Sequence, residues 1–211
     1  MIIIDISMPI HVDMPVYKNR DEKRPIIQVV RDFSSGSVYE SRLSIDMHTG
    51  THIDAPLHMI EGGEDLRVYP IERSISPCRV LDFTHIDDAI TKDDLIKKEF
   101  ESGEFLLFKT RNSWDEEFNP NFIYLEKSGA EYLVDKGVIG AGIDSLGIER
   151  NQPNHETHKT LLSNKIMILE GLRLKHVEEG PYLLIAAPLN IPGVEASPVR
   201  AFLMGRDSIK I

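Results

Sequence analysis

The sequence predicts a mixed α/β fold, and three observations carry that prediction. Apolar runs of strand length recur along the chain, helical signals interrupt them, and several strands precede the first helix. With 211 residues and 41% hydrophobic composition, one domain spanning 1–211 is expected, since single cores stop growing near about 250 residues.

In chain order, residues 2–6 read as a first strand, 13–19 carry turn chemistry around Pro15, and 26–31 form a second strand. Residues 41–47 alternate polar and apolar side chains, which predicts a half-buried strand running into His48. Residues 79–83 and 104–108 are strand-length apolar runs. Between them, 91–98 look helical, with Thr91 as cap and Asp94 at the capping-box position. Residues 122–137 predict an amphipathic helix with Tyr124, Leu125, Tyr132 and Leu133 on one side and Gly137 as its stop. A glycine-interrupted strand at 138–143 follows, then a short helix at 154–162 capped by Asn154. Residues 166–170 form a buried strand ending on the carboxylate of Glu170, and 182–187 and 202–204 are the last strands.

Several function classes drop out. A formal net charge of −10 argues against nucleic acid as a general partner, which needs a basic face. No apolar run approaches the roughly 18 residues that span a membrane. Residues 1–7 are apolar but lack a basic leader and a small-residue cleavage site, so they read as strand and not as signal peptide. Cys78 is the only cysteine, which excludes an internal disulfide framework and suggests a reducing, cytoplasmic location.

The chemistry concentrates in one segment. His48, His52, Asp54 and His58 are four, two and four residues apart, so an extended strand would turn all four side chains to one side. A helix, at about 100° per residue, would split them. Ten extended residues reach roughly 33 Å, far beyond the span of one metal's ligands, so the segment must start extended and fold back. Gly50 and Pro56 stand where the bends are needed. Imidazole and carboxylate together suit zinc, manganese or iron better than calcium.

The segment His-Thr-Gly-Thr-His-Ile-Asp-Ala-Pro-Leu-His from His48 to His58 resembles the signature of the cyclase-like metal-dependent hydrolases, the family of bacterial kynurenine formamidase and isatin hydrolase. The resemblance extends to Asp5-Ile-Ser-Met-Pro-Ile10, Gly142-Ile-Asp-Ser-Leu146, Ile168-Leu-Glu-Gly-Leu172, Pro188-Leu-Asn-Ile-Pro-Gly193 and Ser197-Pro-Val-Arg-Ala201. It implies a swivelling β/β/α domain and hydrolysis of an amide, formamide or cyclic amide, arylformamidase-like. It also implies two zinc ions (manganese being the other metal) and a homo-oligomer, dimer or tetramer. His48, His52, Asp54, His158 and Glu170 would be the metal ligands, Asp54 and Glu170 bridging, and His58 the catalytic acid/base. His158 falls twelve residues before Glu170, as the family's later histidine does, which leaves neighbouring His155 as an exposed helix residue. The family's formamidases carry Trp followed by Pro-Gly-Asp where this chain has Tyr17-Lys-Asn-Arg-Asp21, so Tyr17 is the candidate to stack on a flat substrate.

Two rival readings differ in class. His52, Asp54 and a distant histidine fit the 2-His-1-carboxylate triad of iron oxygenases, but leave His48, His58 and Glu170 without a task. A catalytically silent metal-binding protein on the same scaffold would have no use for His58. His11, His85 and His176 lie outside any ligand spacing.

Overall fold

A computed structural model describes residues 2–205. Along the chain run β1 (Ile3–Asp5), β2 (Ile26–Arg31), β3 (Glu40–Ser44), β4 (His52–Asp54), β5 (Ile75–Asp82) and β6 (Ala89–Ile90). Then come α1 (Lys92–Leu95), β7 (Phe105–Lys109), β8 (Tyr124–Leu125), α2 (Lys127–Lys136) and β9 (Gly140–Ile143). The chain continues through α3 (Glu156–Ser163), β10 (Met167–Glu170), β11 (Gly180–Pro188) and β12 (Ala196–Gly205).

The fold is mixed α/β, as the sequence predicts. Strands follow the order β12-β11-β5-β7-β9-β10-β4, and β4 pairs back onto β12 to close a barrel, with β1 paired on the free length of β12. Within it β5, β7, β9 and β10 are parallel to one another in sequence of pairing, and the remaining pairings are antiparallel. Side chains alternate between two cores, the consequence of the two-residue period of a strand. Val80, Phe105, Leu107 and Leu169 point into the barrel, while Leu81, Leu106, Phe108 and Ile168 pack outward against α2 and α3 through Leu133, Leu161 and Leu162. Strands buried on both faces must read as unbroken apolar runs, which is why β7 and β10 stand out in the sequence.

Three local expectations are corrected. Residues 41–47 are not half-buried: β3 ends at Ser44 and, among the described residues, pairs only with β2, in a two-stranded ribbon exposed on both faces. Alternation reveals two faces but not whether a core covers either. Residues 122–137 are not one helix. Tyr124 and Leu125 form β8, parallel to β6, and Glu126 starts α2 by accepting a hydrogen bond from the Ser128 N–H. Gly137 does stop that helix, in the left-handed conformation. Asn154 does not cap α3. Residues Asn154 and His155 are both left-handed, at φ 55°, and the helix begins at Glu156 with its free N–H groups taken by Glu149 instead. The capping box of α1 is present as expected, with Asp94 accepting from the Thr91 N–H and hydroxyl.

Candidate metal centre

The histidine-rich segment bends where its residue types require. Gly50 turns at φ 64°, β4 carries His52 to Asp54 in extended form, and Pro56 opens a 3₁₀ turn, Pro56–His58, that folds the chain back. His52 and Asp54, two residues apart, share a face of β4. That strand lies between β10 and β12, and register places His52 directly opposite Glu170. The close approach behind this pairing needs glycine. Gly171 sits at φ 69°, and a Cβ there would stand 2.3 Å from the Gly50 carbonyl oxygen. From the outer layer, α3 delivers His158.

The side chains converge on Asp54 and Glu170, both buried. His48 Nδ1 is 3.0 Å from Asp54 Oδ1, and His52 Nε2 is 3.5 Å from that oxygen and 3.4 Å from Glu170 Oε2. His158 Nε2 lies 3.3 Å from Glu170 Oε1 and 3.8 Å from Asp54 Oδ2. His58 stacks beside His48 with ring centroids 4.1 Å apart, and stands 5.7 Å from the His158 ring. All six residues singled out in the sequence for metal binding and proton transfer therefore meet in one place, while His85 lies away from them against Phe83.

Electrostatics describe a centre that wants a cation. Burial pulls the His52 and His158 rings down, but the carboxylates outweigh it: Glu170 and Asp54 hold His52 at about 9, and Glu149, Glu170 and Asp54 hold His158 at about 10. Burial pushes Glu170 up, yet the same two histidines keep it well below the usual carboxylate range. The donor set fits a divalent ion. His52 Nδ1 lies 2.9 Å from the Gly50 carbonyl oxygen, the partner that fixes the Nδ1–H tautomer and frees Nε2. His52 Nε2 and both Asp54 oxygens are buried without a hydrogen bond among the described residues, in a site where a polar group without a partner is costly.

His58 differs. Burial lowers it to about 4, against the opposing pull of Asp54, so the ring is neutral at neutral pH and can accept a proton. A cavity of about 310 Å³ opens over these groups. Tyr17 forms part of its wall, braced edge-on by Phe118 at 5.2 Å between centroids. Burial, then the charges of Glu170 and Glu149, push the Tyr17 phenol up.

Residues 4–150 match the family model described as putative cyclase. The chain belongs to that cyclase family. Among its relatives, kynurenine formamidase of Bacillus thuringiensis is 32% identical over 95% of this chain and 96% of its own length. Kynurenine formamidase of Salinibacter ruber is 32% identical over 96% and 97%. A solved structure described as a predicted metal-dependent hydrolase from Bacillus stearothermophilus superimposes with a TM-score of 0.87 at 49% identity, covering 95% of this chain and 97% of that one. Isatin hydrolase A of Labrenzia aggregata shares the fold at a TM-score of 0.84 and 22% identity, over 96% and 93%.

Sequence reasoning misses two carboxylates. Glu195 reaches His48 Nε2 at 3.6 Å from the rim. Glu149 contacts both His155 Nδ1, at 2.8 Å, and His158 Nδ1, at 3.0 Å. Neither carries a signal, because no motif spacing links it to a histidine. His155 is exposed, as expected, but it also lines the cavity.

Proposed function

We propose that the protein is a metal-dependent hydrolase that opens the C–N bond of a small, flat formamide or cyclic amide. The observation that carries this reading is the pair of Asp54 oxygens, buried and without hydrogen bonds among the described residues, ringed by three histidine nitrogens. His48, His52, Asp54, His158 and Glu170 would hold the metal, with Asp54 and Glu170 as the carboxylates that would be shared; two zinc ions are the favoured load and manganese the alternative. When bound, such ions lower the pKa of water toward neutrality and polarise a carbonyl.

The chain's own residues supply the rest. The cavity, at about 310 Å³, suits a small molecule. Tyr17 offers a flat face for a planar substrate at the mouth. His58, neutral, takes a proton from the attacking water and returns it to the leaving nitrogen as the C–N bond breaks. Kinship with two formamidases over nearly the whole chain favours a formamide. No helix among the described residues is long and apolar enough to cross a membrane. The β2–β3 ribbon, with Ile26, Val29 and Leu43 exposed and Phe33 exposed in its connecting segment, supports assembly as a homo-oligomer.

The test is a hydrolysis screen of metal-loaded protein against formylkynurenine, isatin and simple aryl formamides, with and without chelator. Turnover that chelator abolishes is expected for at least one. Metal-loaded protein inert toward all three classes would overturn the assignment.

A further inference from the structure

Helix α3 begins without a cap of its own. The chain enters it through left-handed Asn154 and His155, and neither side chain closes the first turn. Glu149, buried on the preceding loop, does so instead: its Oε2 accepts from the Thr157 N–H at 2.9 Å and the His158 N–H at 3.4 Å, and from Gln152 Nε2 at 3.1 Å. The other oxygen, Oε1, stands 3.0 Å from His158 Nδ1. That ring nitrogen is buried and makes no hydrogen bond of its own among the described residues, so Oε1 is the acceptor at hand for an Nδ1 proton.

We propose that Glu149 is the residue that positions His158 for the metal centre, fixing both the helix turn that carries the ring and the ring's tautomer. A histidine that faces a metal through one nitrogen characteristically gives its other N–H to a carbonyl or carboxylate. His52 does this with the Gly50 carbonyl. Glu149 is the corresponding partner of His158, and the proton it holds on Nδ1 leaves the Nε2 lone pair toward Asp54 and Glu170. The same Oε1 is hydrogen-bonded to His155 Nδ1 at 2.8 Å, but that side chain is 60% exposed and makes no ion pair with Asp54 or Glu170 among the described residues. Glu149 is therefore a positioning residue acting through His158.

The inference rests on reading Asp54 and Glu170 as a metal centre, and the experiment separates the two. Wild type, Glu149→Gln, Glu149→Ala and His155→Gln, each as the whole 211-residue chain, are titrated with cobalt(II) after metal removal, followed by absorption, and melted without metal. Glutamine keeps an acceptor for the helix turn but places an amide donor on one side of the group. Glu149→Gln is expected to melt close to wild type while losing about 10- to 100-fold in cobalt affinity, with a changed visible spectrum. Glu149→Ala should lose both affinity and melting temperature, and His155→Gln should bind within about twofold of wild type, since an exposed side chain adds little. Wild-type affinity and spectrum in Glu149→Gln would overturn the positioning role. So would an affinity loss that merely tracks the melting temperature, or an equal loss in His155→Gln. Wild type that takes up no cobalt would overturn the metal centre itself, and this inference with it.

Discussion

His52 and Glu170 are direct partners across the β4–β10 ladder, and their side chains meet with Nε2 3.4 Å from Oε2. Directly paired strand residues share a face with Cβ atoms about 5 Å apart, so backbone register alone brings together groups 118 positions distant (170 − 52). Asp54, two residues along the same face, completes the triangle, and its oxygens have no hydrogen bonds among the described residues. Asp54→Ala should therefore leave the strand paired but empty at least one metal position. Elemental analysis of the purified variant checks this, and full metal content would refute a bridging Asp54.

His58 stands close enough to His48 and Asp54 to share an ion with them, so its role needs a test that separates ligand from proton carrier. As an acid/base group, His58→Ala should keep its metal while kcat falls by about 10²- to 10⁴-fold. Kinetics and metal content measured on one preparation decide it. Metal lost in proportion to activity would make His58 a ligand.

Gly171 lets the Glu170 strand end pass against the Gly50 turn. Alanine there meets two penalties, a left-handed φ of 69° and a Cβ 2.3 Å from the Gly50 carbonyl oxygen. Strain and overpacking of this kind together cost about 2–4 kcal/mol. Gly171→Ala should lower the urea midpoint accordingly and weaken metal binding, because the turn it displaces holds His52 through the Gly50 carbonyl. A variant with wild-type stability would show that the two backbones separate at no cost.

How much of this is legible in the sequence follows from which forces are local. The bends at Gly50 and Pro56 and the one-sided spacing of His52 and Asp54 are properties of single residues and of strand period, so they can be read directly. The two-sided burial of β7 likewise shows as an apolar run. His158 and Glu170 are reached only through resemblance, since the β10–β4 pairing brings Glu170 to β4, helix α3 delivers His158 from the outer layer, and no local spacing encodes either. The start of α3 escapes a local reading for the same reason: Glu149 caps it from outside the helix. The β3 ribbon misleads because an alternating pattern looks the same whether its apolar face meets a core, a partner or water.

That ribbon leads to a prediction about assembly. Two strands alone are marginal in water, and this pair exposes Val29 and Leu43 by 47% and 51%, with Phe33 in its connecting segment exposed by 74%. Charge placed among them by Val29→Glu with Leu43→Lys should shift the protein toward monomer in light scattering coupled to size exclusion, the two substitutions lying on opposite strands of the ribbon. A monomeric wild type would remove the ribbon from any assembly role.

Asp144 sets a pH dependence separate from the metal centre. Buried just beyond β9, it accepts from the Thr110 N–H at 2.8 Å, the Thr110 hydroxyl at 2.7 Å and the Ser113 hydroxyl at 2.7 Å. Burial wins over those bonds and pushes its pKa up to about 6 from 3.8. Folding therefore favours the protonated acid. Its contribution is complete below the unfolded value and is lost as pH rises through about 6. A rise of that size corresponds to on the order of 3 kcal/mol. An asparagine at this position cannot titrate, so the unfolding free energy of wild type minus that of Asp144→Asn should fall by up to that amount between roughly pH 4 and pH 7. Urea unfolding of both proteins at several pH values measures the difference directly, with the carboxylates common to both cancelling. A difference that stays constant with pH, or rises, would mean the hydrogen bonds from Thr110 and Ser113 outweigh burial and hold Asp144 ionised throughout.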